Sequence, residues 1–520
     1  GRRRPWARGP GRGSSRGWAR GPGRLSDFAE AAGAAVRPVR GAPCLVSHEV
    51  PHGVAQGAPQ GAPRRALLLL AGAAAALAAC GPRPGPVSSG LALPDRFREA
   101  AETPAVWPAP DWWKGFGSPE LDRLMEAAAA GNFDLAAAEA QVRQADAQLR
   151  ITGASLLPTL DASGDASQTR TSGYGRASTS ARSVKSLSLA ASYEIDFWGK
   201  NRNATEAARQ TAIARRFNVG TVMMTTQASL AETYFTVLEG QEELRTQLDN
   251  LDAANRVLAV IRAQVAAGTA TGLDLAQQET VVAQQEAAVP PLRQTIGQNI
   301  NAIATLIGRT PESFKVTGGR LDQLRVPVAA PGLPVEGLAR RPDVHLAEAN
   351  LASANANVAA ARAALLPSVT LTAQGGFQTL NLANLVTPEA AFFTLAAGIT
   401  QTIFDGGALR GQVALSRAQA EELVVEYRRA IVSALVDVEN ALIAFRESAD
   451  RVERQANAAA KAQQAYNISE AQLRAGTIDL ITLINTQQTL FSARTSLVQA
   501  RLAYFQAAVG LFRALGGGWR

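Results

Sequence analysis

Ala471–Leu483 reads AQLRAGTIDLITL, and Ala263–Leu275 reads AQVAAGTATGLDL. Both contain Ala-Gln-x-x-Ala-Gly-Thr, and they lie 208 residues apart. Each Gly-Thr interrupts a long helical pattern with no proline beside it. Glycine enters the left-handed region without a steric penalty, and that is the conformation in which many helices end. Gly268 and Gly476 are therefore expected just past the ends of two helices, with Thr269 and Thr477 in the turns. The same stop at a fixed interval points to an internal repeat.

Other landmarks keep the interval. Asp134…Glu139 matches Asp343…Glu348 at 209, Leu156-Leu157-Pro158 matches Leu365-Leu366-Pro367 at 209, and Phe197-Trp198-Gly199 matches Phe404-Asp405-Gly406 at 207. Two copies of one unit follow, over 132–307 and 342–515, joined by a linker at 308–341. Each opens with an Ala-rich helical run, 132–156 or 343–365. The run stops at Leu-Leu-Pro because the residue before proline is biased away from the α region. Period-2 alternation comes next. In SLSLAASYEIDF (186–197), Leu187, Leu189, Ala191, Tyr193, Ile195 and Phe197 share one face, and Ser186, Ser188, Ser192, Glu194 and Asp196 share the other. In SVTLTAQGGF (368–377), Val369, Leu371, Ala373 and Phe377 oppose Ser368, Thr370, Thr372 and Gln374. TLDASGDAS (159–167) and FTLAAGITQTIF (393–404) repeat the alternation more weakly. Strands of about ten residues, apolar on one side and Ser/Thr-rich on the other, have the pattern of a membrane barrel. A soluble sheet with one buried face would show the same alternation.

Very long helical runs follow, Lys200–Ala267 and Gly407–Ala475. At about 1.5 Å per residue each is about 100 Å long, far beyond a globular helix. Shorter runs return after each Gly-Thr, over 273–307, with an interruption expected at Pro290-Pro291, and over 480–515. A leading run of about 37 Å and a returning run of about 50 Å nearly match one long run when stacked end to end. Each copy can thus build one continuous and one two-piece helix. Four strands cannot close a barrel, since about eight are needed, and an open edge in lipid leaves backbone groups unsatisfied. The chain is expected to oligomerise. Three copies give twelve strands and twelve helical columns.

Charge and cysteine content narrow the function. The chain has 520 residues and a net charge of +8. Residues 1–65 hold 12 arginines and 3 acids, a net of +9, whereas the remainder holds 40 basic and 41 acidic residues, a net of −1. The basicity is confined to the N-terminal segment, so no nucleic-acid partner is expected. Residues 1–63 are rich in Gly, Arg and Pro and are expected to be a disordered extension outside the mature protein. Arg64-Arg65 then precedes ALLLLAGAAAALAAC, an apolar run too short to span a bilayer. Charge, apolar run and small residues before Cys80 form a lipoprotein signal over 64–79, with Cys80 as the lipid attachment residue. Two or three acyl chains would give stable anchoring to outer-membrane lipid. Cys44 lies upstream of the cut, and His345, read as structural, is the one histidine of the mature chain. No metal, cofactor or catalytic set is expected, and the chain is not expected to be an enzyme.

The chain resembles the TolC-like outer-membrane efflux channel family, specifically its NodT-type lipoproteins, over about 80–519. The phrases that carry the resemblance are Asp111-Trp112-Trp113…Phe116-Gly117, Glu194-Ile195-Asp196-Phe197-Trp198-Gly199, Pro290-Pro291-Leu292, Arg340-Arg341-Pro342-Asp343, Phe404-Asp405-Gly406-Gly407 and Ala514-Leu515-Gly516-Gly517-Gly518-Trp519. None is specific alone, but six in the right order are. The resemblance implies a mainly α fold with a membrane β-barrel: a homotrimer with a 12-stranded barrel in the outer membrane continued by a 12-helix periplasmic α-barrel. It implies an equatorial collar from about 91–130, 308–341 and the C-terminal end, residues 80–131 being an anchor and equatorial segment and 516–520 a tail. It further implies a passive exit duct for drugs or other small solutes, working with a periplasmic adaptor protein and an inner-membrane RND-type pump. The alternative is the outer-membrane channel of a type I protein secretion system.

On that footing Ala267, Gly268, Thr269, Arg474, Ala475, Gly476 and Thr477 are expected to be the periplasmic tips that meet the adaptor. Asp479 and Asp274, just past the tips, are the candidates for a carboxylate ring that gates the entrance, with the second copy favoured. The ordinary alternative for both is a helix-terminal carboxylate that complements the macrodipole. Asp161, Asp165, Glu194 and Asp196 are expected to face the lumen of the barrel. The loops at 171–183 and 381–390 would be extracellular, and Trp198 would belong to an aromatic girdle.

Overall fold

The computed structural model describes residues 82–85, 87–99, 104–170 and 181–519. Cys80, the signal, the N-terminal extension and most of the 171–183 loop lie outside the described residues. The elements are α1 (Pro119–Gly131), α2 (Phe133–Gly153), β1 (Thr159–Arg170), β2 (Ala181–Ile195), α3 (Lys200–Ala266), α4 (Gly272–Leu306), α5 (Pro334–Leu338), α6 (Pro342–Ala363), β3 (Ser368–Thr379), β4 (Ala391–Thr400), α7 (Ala408–Arg474) and α8 (Leu480–Ala514).

The repeat is close to exact. Helices α3 and α7 both have 67 residues and begin 208 apart, and α4 and α8 both have 35 and begin 208 apart. Strands β1 and β3 both have 12 residues. Among the described residues no helix is long and apolar enough to cross a membrane.

The four strands form one antiparallel sheet in the order β1-β2-β3-β4. Its register fixes the faces, because directly paired residues point the same way. Leu160, Ala191, Ala373 and Leu395 fall on one face through the pairs Leu160↔Ala191, Ala191↔Ala373 and Ala373↔Leu395. Asp161, Ala190, Gln374 and Thr394 fall on the other. On the polar face Ser163 and Ser188 hydrogen-bond across the strands at 3.1 Å, and Gln374 donates to the same Ser188 hydroxyl at 3.2 Å. The apolar face is open, with Leu160 71%, Phe393 87% and Ile399 75% exposed. An aqueous monomer would bury such a surface, whereas lipid covers it at no cost.

Two expectations are corrected here. The expected strands at 186–197 and 393–404 run too far, since β2 ends at Ile195 and β4 at Thr400. The chain must turn there into a helix. In copy one Asp196 leaves the ladder to accept from the Asn201 and Arg202 amides at 3.1 and 2.8 Å. In copy two Asp405 accepts from Gly407 and Leu409, both at 2.8 Å. The second correction concerns α4, which continues through Pro290 and Pro291. Both prolines are solvent-exposed, so water can reach the carbonyls whose helical donors they remove.

The main core lies midway along the long helices. Trp112 stacks on Phe512 at 5.2 Å between ring centres, and Phe116 meets Phe235 at 4.9 Å. Leu121, Met125, Tyr234 and Phe505 complete a cluster that ties the 112–131 segment to α3 and α8. The C-terminal tail closes on α3 beside it, where Trp519 packs on Phe217 and His345. His345 Nε2 donates to Ala339 O (3.1 Å) and Nδ1 donates to the Glu348 carboxylate (3.3 Å), and that carboxylate holds its pKa above the usual imidazole value.

The end-to-end stacking of short helices has a visible joint in each copy. In copy one the Asn132 side chain accepts from Leu135 N at 2.9 Å, capping α2, and donates to Leu306 O at 2.8 Å, capping the end of α4. In copy two the equivalent place belongs to Arg341, which donates to Ala514 O at 3.3 Å. Arg341 also pairs with Asp343 at 2.7 Å and Asp437 at 2.9 Å, and its side chain is 7% exposed. Asn132 thus serves two helix termini at once, whereas Arg341 serves the end of α8 and holds Asp343, whose carboxylate accepts from Val344 N in the first turn of α6 at 3.1 Å.

Candidate functional site

The two helical hairpins end in the same turn, and its chemistry explains the repeated Gly-Thr. Gly268 N donates to Val265 O at 3.0 Å and Thr269 N to Gln264 O at 2.9 Å. Gly476 N donates to Leu473 O and Thr477 N to Gln472 O, both at 3.0 Å. Gly268 and Gly476 have φ of 73° and 71°. Each threonine hydroxyl adds a bond at 3.1 Å to the carbonyl its own amide uses. This paired closure satisfies the last carbonyls of the long helix and requires a left-handed residue. Glycine supplies the conformation, and threonine seals it.

The tips are open. Ala267, Gly268, Thr269, Arg474, Ala475, Gly476 and Thr477 are all exposed. Behind them the two hairpins pack together through Val257, Ile261, Tyr466, Leu480, Leu483 and Phe491. The tips therefore form one paired surface on a shared apolar base. Arg474 is held by Glu470 of its own helix at 2.7 Å. In the first hairpin Arg262 instead crosses to Glu279 of the returning helix at 3.0 Å.

The two aspartates past the tips are not equivalent, and the caps show how they differ. Asp479 is the N-cap of α8 and accepts from Thr482 N at 2.8 Å. Its counterpart at 208 is Thr271, the N-cap of α4. Asp274 stands three residues inside α4 and corresponds to Thr482. Thr271 Oγ1 accepts from Asp274 N at 3.3 Å, and Asp274 Oδ2 accepts from Thr271 N at 2.8 Å and from Thr271 Oγ1 at 2.7 Å. Copy one therefore caps with Thr-x-x-Asp and copy two with Asp-x-x-Thr. The Thr271 amide and hydroxyl hold the Asp274 carboxyl below its ordinary pKa, and the Thr482 side chain and amide do the same for Asp479. Both are ionised well below neutral pH, and a negative charge there also complements the helix N-terminus.

At the other end the expected lining acids divide. Asp161, opposite Ala190, and Asp165, opposite Ser186, lie on the polar face of the sheet. Glu194 lies on that face opposite Thr370, near the strand end, and pairs with Lys200 at 2.6 Å. Asp196 is not a strand residue. Its side chain is 9% exposed, caps α3 and pairs with Arg202 at 3.3 Å. The alternation continued through Asp196 on paper, but the helix start claimed its carboxylate. Trp198 donates to Pro367 O at 2.7 Å, which locks the base of β2 to the start of β3. The sequence assigned no role to Asn132, Arg341 or Asp405, although the last two stand in the phrases that carry the family resemblance. A polar residue one position ahead of an apolar helical run was the available signal.

The geometry places one paired hairpin surface at one end, a half-amphipathic sheet at the other, and about 100 Å of helix between them. Known proteins share this arrangement. A family model described as "Outer membrane efflux protein" matches residues 124–309 and 333–517, the two repeats. The pyoverdine export outer membrane protein OpmQ of Pseudomonas aeruginosa is 41% identical over 465 residues, which cover 87% of this chain and 97% of the relative. The probable outer membrane lipoprotein SilC of Salmonella typhimurium is 28% identical over 80% of this chain and 90% of its own. Among solved structures, the outer-membrane channel OprN superposes with a TM-score of 0.80 at 25% identity, covering 84% of this chain and 99% of that one. The open state of the Neisseria gonorrhoeae MtrE outer membrane channel gives 0.77 at 26% identity, with 84% and 98% covered.

Proposed function

The chain belongs to the outer membrane efflux protein family, and from that membership we propose how this particular chain builds and works its duct. Its place is the outer membrane and its role is passive efflux; the fold is mainly α, with the strands of a membrane β-barrel continued by an α-barrel. Three copies assemble. Each brings four strands with two edges that lipid cannot satisfy, and three sheets joined edge to edge give the 12 strands of a bore wide enough to conduct. The long helices then form the wall of the periplasmic tube, and the duct catalyses nothing.

The observation that carries this reading is the continuity of β2 into α3 and of β4 into α7, once per repeat. A sheet apolar on one side and polar on the other runs into a helical wall through only four residues in copy one, 196–199. Lipid covers the apolar face, and Asp161, Asp165 and Glu194 line the bore. Cys80 carries the lipid anchor. In support, Pro82 O accepts from Asn203 Nδ2 at 2.9 Å, and Asn203 is the fourth residue of α3. The chain just after Cys80 therefore runs beside the base of the sheet, where acyl chains would enter the membrane.

At the far end the paired tips receive a periplasmic adaptor that links the duct to an inner-membrane RND-type pump. The exposed Gly-Thr turns and their flanks (Ala267, Gly268, Thr269, Arg474, Ala475, Gly476, Thr477) form that contact. Asp479, and with it Asp274, bring carboxylate rings to the entrance. Asp479 is the gate residue we favour, because it caps α8 directly beside the tip, whereas Asp274 stands three residues further along and closes back onto Thr271. The solute is a small molecule. The OpmQ relative is named for pyoverdine export, and efflux of an exported small molecule is the substrate class we assign. Deleting the gene should trap such a metabolite in the periplasm, or sensitise cells to drugs, and leave exported protein toxins unaffected. Loss of toxin export with unchanged small-molecule efflux would favour type I secretion.

A further inference from the structure

The charge of the helical wall is segregated in a way that the duct reading does not use. Just below the sheet, residues 197–220 carry Lys200, Arg202, Arg209, Arg215 and Arg216 against one acid, Glu206. In the second copy, residues 408–420 carry Arg410 and Arg417 and no acid. The sign then reverses, with Glu421, Glu422 and Glu426 next along α7. Arg202 and Arg410 are equivalent at 208, as are Arg209 and Arg417. A solvated helix ordinarily intermixes its signs. Here the same two cations recur in both repeats at the same height.

Their direction follows from what covers the same faces lower down. On α7, Arg410, Arg417, Arg428, Glu439 and Arg446 are separated by 7, 11, 11 and 7 residues, all whole turns, and so share one face. Arg428 Nε donates to Ser89 O at 2.7 Å, Glu439 accepts from Arg98 N at 2.6 Å, and Arg446 pairs with Glu99 at 2.7 Å. The N-terminal segment therefore wraps this face. On α3, one flank meets the turn just past α2 through Asn201 and Ser155 (3.4 Å), and the other meets α6 through Ala207 and Ser353 (2.9 Å). The face between, bearing Arg202 and Arg209, is closed lower down by Trp519 against Phe217. An open bore excludes these wrapping segments, so the face they cover is the outer one. The cations above them point outward, beside the end of the sheet.

We propose that Arg202, Arg209, Arg410 and Arg417 form an outward basic belt that binds the headgroups of anionic phospholipids in the periplasmic leaflet of the outer membrane. Arg202 and Arg410 are the third residues of their helices. Arg209 and Arg417 are the tenth, about 14 Å from the helix start, and reach upward along their aliphatic stems. Arg202 spends part of its charge on Asp196, and Arg209 approaches Glu206 at 3.6 Å with 61% of its side chain exposed. Among the described residues Arg410 and Arg417 form no ion pair. Arg202 also bonds the carbonyls of Asp196 and Phe197, so the equivalent pair Arg209 and Arg417 is the one that can be substituted without touching the turn from strand to helix.

The inference rests on the membrane duct reading, and the test separates the two. The purified full-length assembly is reconstituted in vesicles of phosphatidylcholine with a trace of spin-labelled phosphatidylglycerol or spin-labelled phosphatidylcholine. The readout is the ratio of protein-bound to bulk label. We expect the anionic phosphatidylglycerol to be preferred several-fold, at roughly fivefold per engaged cation near the surface. The preference should fall to near unity in Arg209→Gln/Arg417→Gln and survive in Arg209→Lys/Arg417→Lys. In the wild type it should also collapse at 1 M salt, where the screening length is about 3 Å, a result independent of any variant. Equal association of the two labels with the wild type, or an unchanged preference in the Gln variant, overturns the proposal. Conductance in planar bilayers, measured on the same preparations, reports the duct itself and should not change in either variant.

Discussion

The two repeats differ most where they look most alike. Both hairpins close through the same glycine and threonine bonds, yet the returning helix is capped by Thr271 and Asp274 in one copy and by Asp479 and Thr482 in the other. Both stacked columns place a polar side chain at the joint, yet copy one uses neutral Asn132 for both helix ends and copy two uses the buried cation Arg341 for one end and Asp343 for the other. The backbone solution is shared and the chemistry that enforces it has drifted. What repeats is the demand for orphan amides and carbonyls to be satisfied; which residue satisfies it is free to change.

The joints should break unequally. Arg341→Met leaves Asp343 and Asp437 without their shared cation and Ala514 O without its donor. It should cost about 3–5 kcal/mol per chain, as broken buried pairs do, less whatever solvent reaches the half-exposed Asp437. Asn132→Ala removes a cap and should cost about 1 kcal/mol. Thermal unfolding of the two variants side by side checks the ranking, and equal losses would mean that the two joints carry equal weight.

A second difference lies in the collar, where Glu239 of α3 is buried beside Glu242 and Glu243. Burial first, and then the neighbouring Glu243, raise its pKa to about 7. Because the folded value lies above the unfolded one, the native state holds a proton that the unfolded chain has released. Stability is full below about pH 4.5 and declines as pH rises toward 7, where the loss levels off. Glu239→Gln should raise the melting temperature at pH 8 and leave it unchanged at pH 4.5, an effect of the order of 1–3 kcal/mol per chain. The equivalent position of the second copy is Glu447, which is exposed and paired with Arg446. The same substitution there should do little at either pH.

At the tips the comparison can be sharpened. Gly268→Ala and Gly476→Ala each force a Cβ into the left-handed region, at about 1–2 kcal/mol, and the two should match because the turns match. The aspartates should not. Asp479→Asn keeps a good N-cap while removing charge, whereas Asp479→Ala loses both. If Asp479 gates the entrance, both raise single-channel conductance and only the Ala variant loosens the tip in hydrogen exchange. Unchanged conductance in both would leave Asp479 as a cap alone. The smallest effect belongs to the exchanged cap Thr271→Asp/Asp274→Thr, which imports the second copy's arrangement and should be nearly neutral in stability.

Length and spacing made most of the fold legible. The 208-residue interval, the Leu-Leu-Pro stops and the Ser/Thr alternation placed ten of the described elements within a few residues, since each rests on a periodicity or a backbone restriction. What stayed hidden depends on partners far away in sequence. Pro290-Pro291 reads as a break until both prolines are seen on the exposed face of a continuous α4. Asp196 continues a strand pattern until the start of α3 takes its carboxylate. Asp274 and Asp479 look like one duplicated acid until the caps show them three positions apart. The belt of Arg202, Arg209, Arg410 and Arg417 was present in the sequence, but its outward direction depends on Ser89, Glu99 and Trp519.

The most direct test of the central claim is the mass of the intact detergent-solubilised assembly, measured by native mass spectrometry. The account predicts three chains, each carrying acyl mass at Cys80, because twelve strands and twelve helical columns close together. A stable dimer or monomer that still conducts would contradict it.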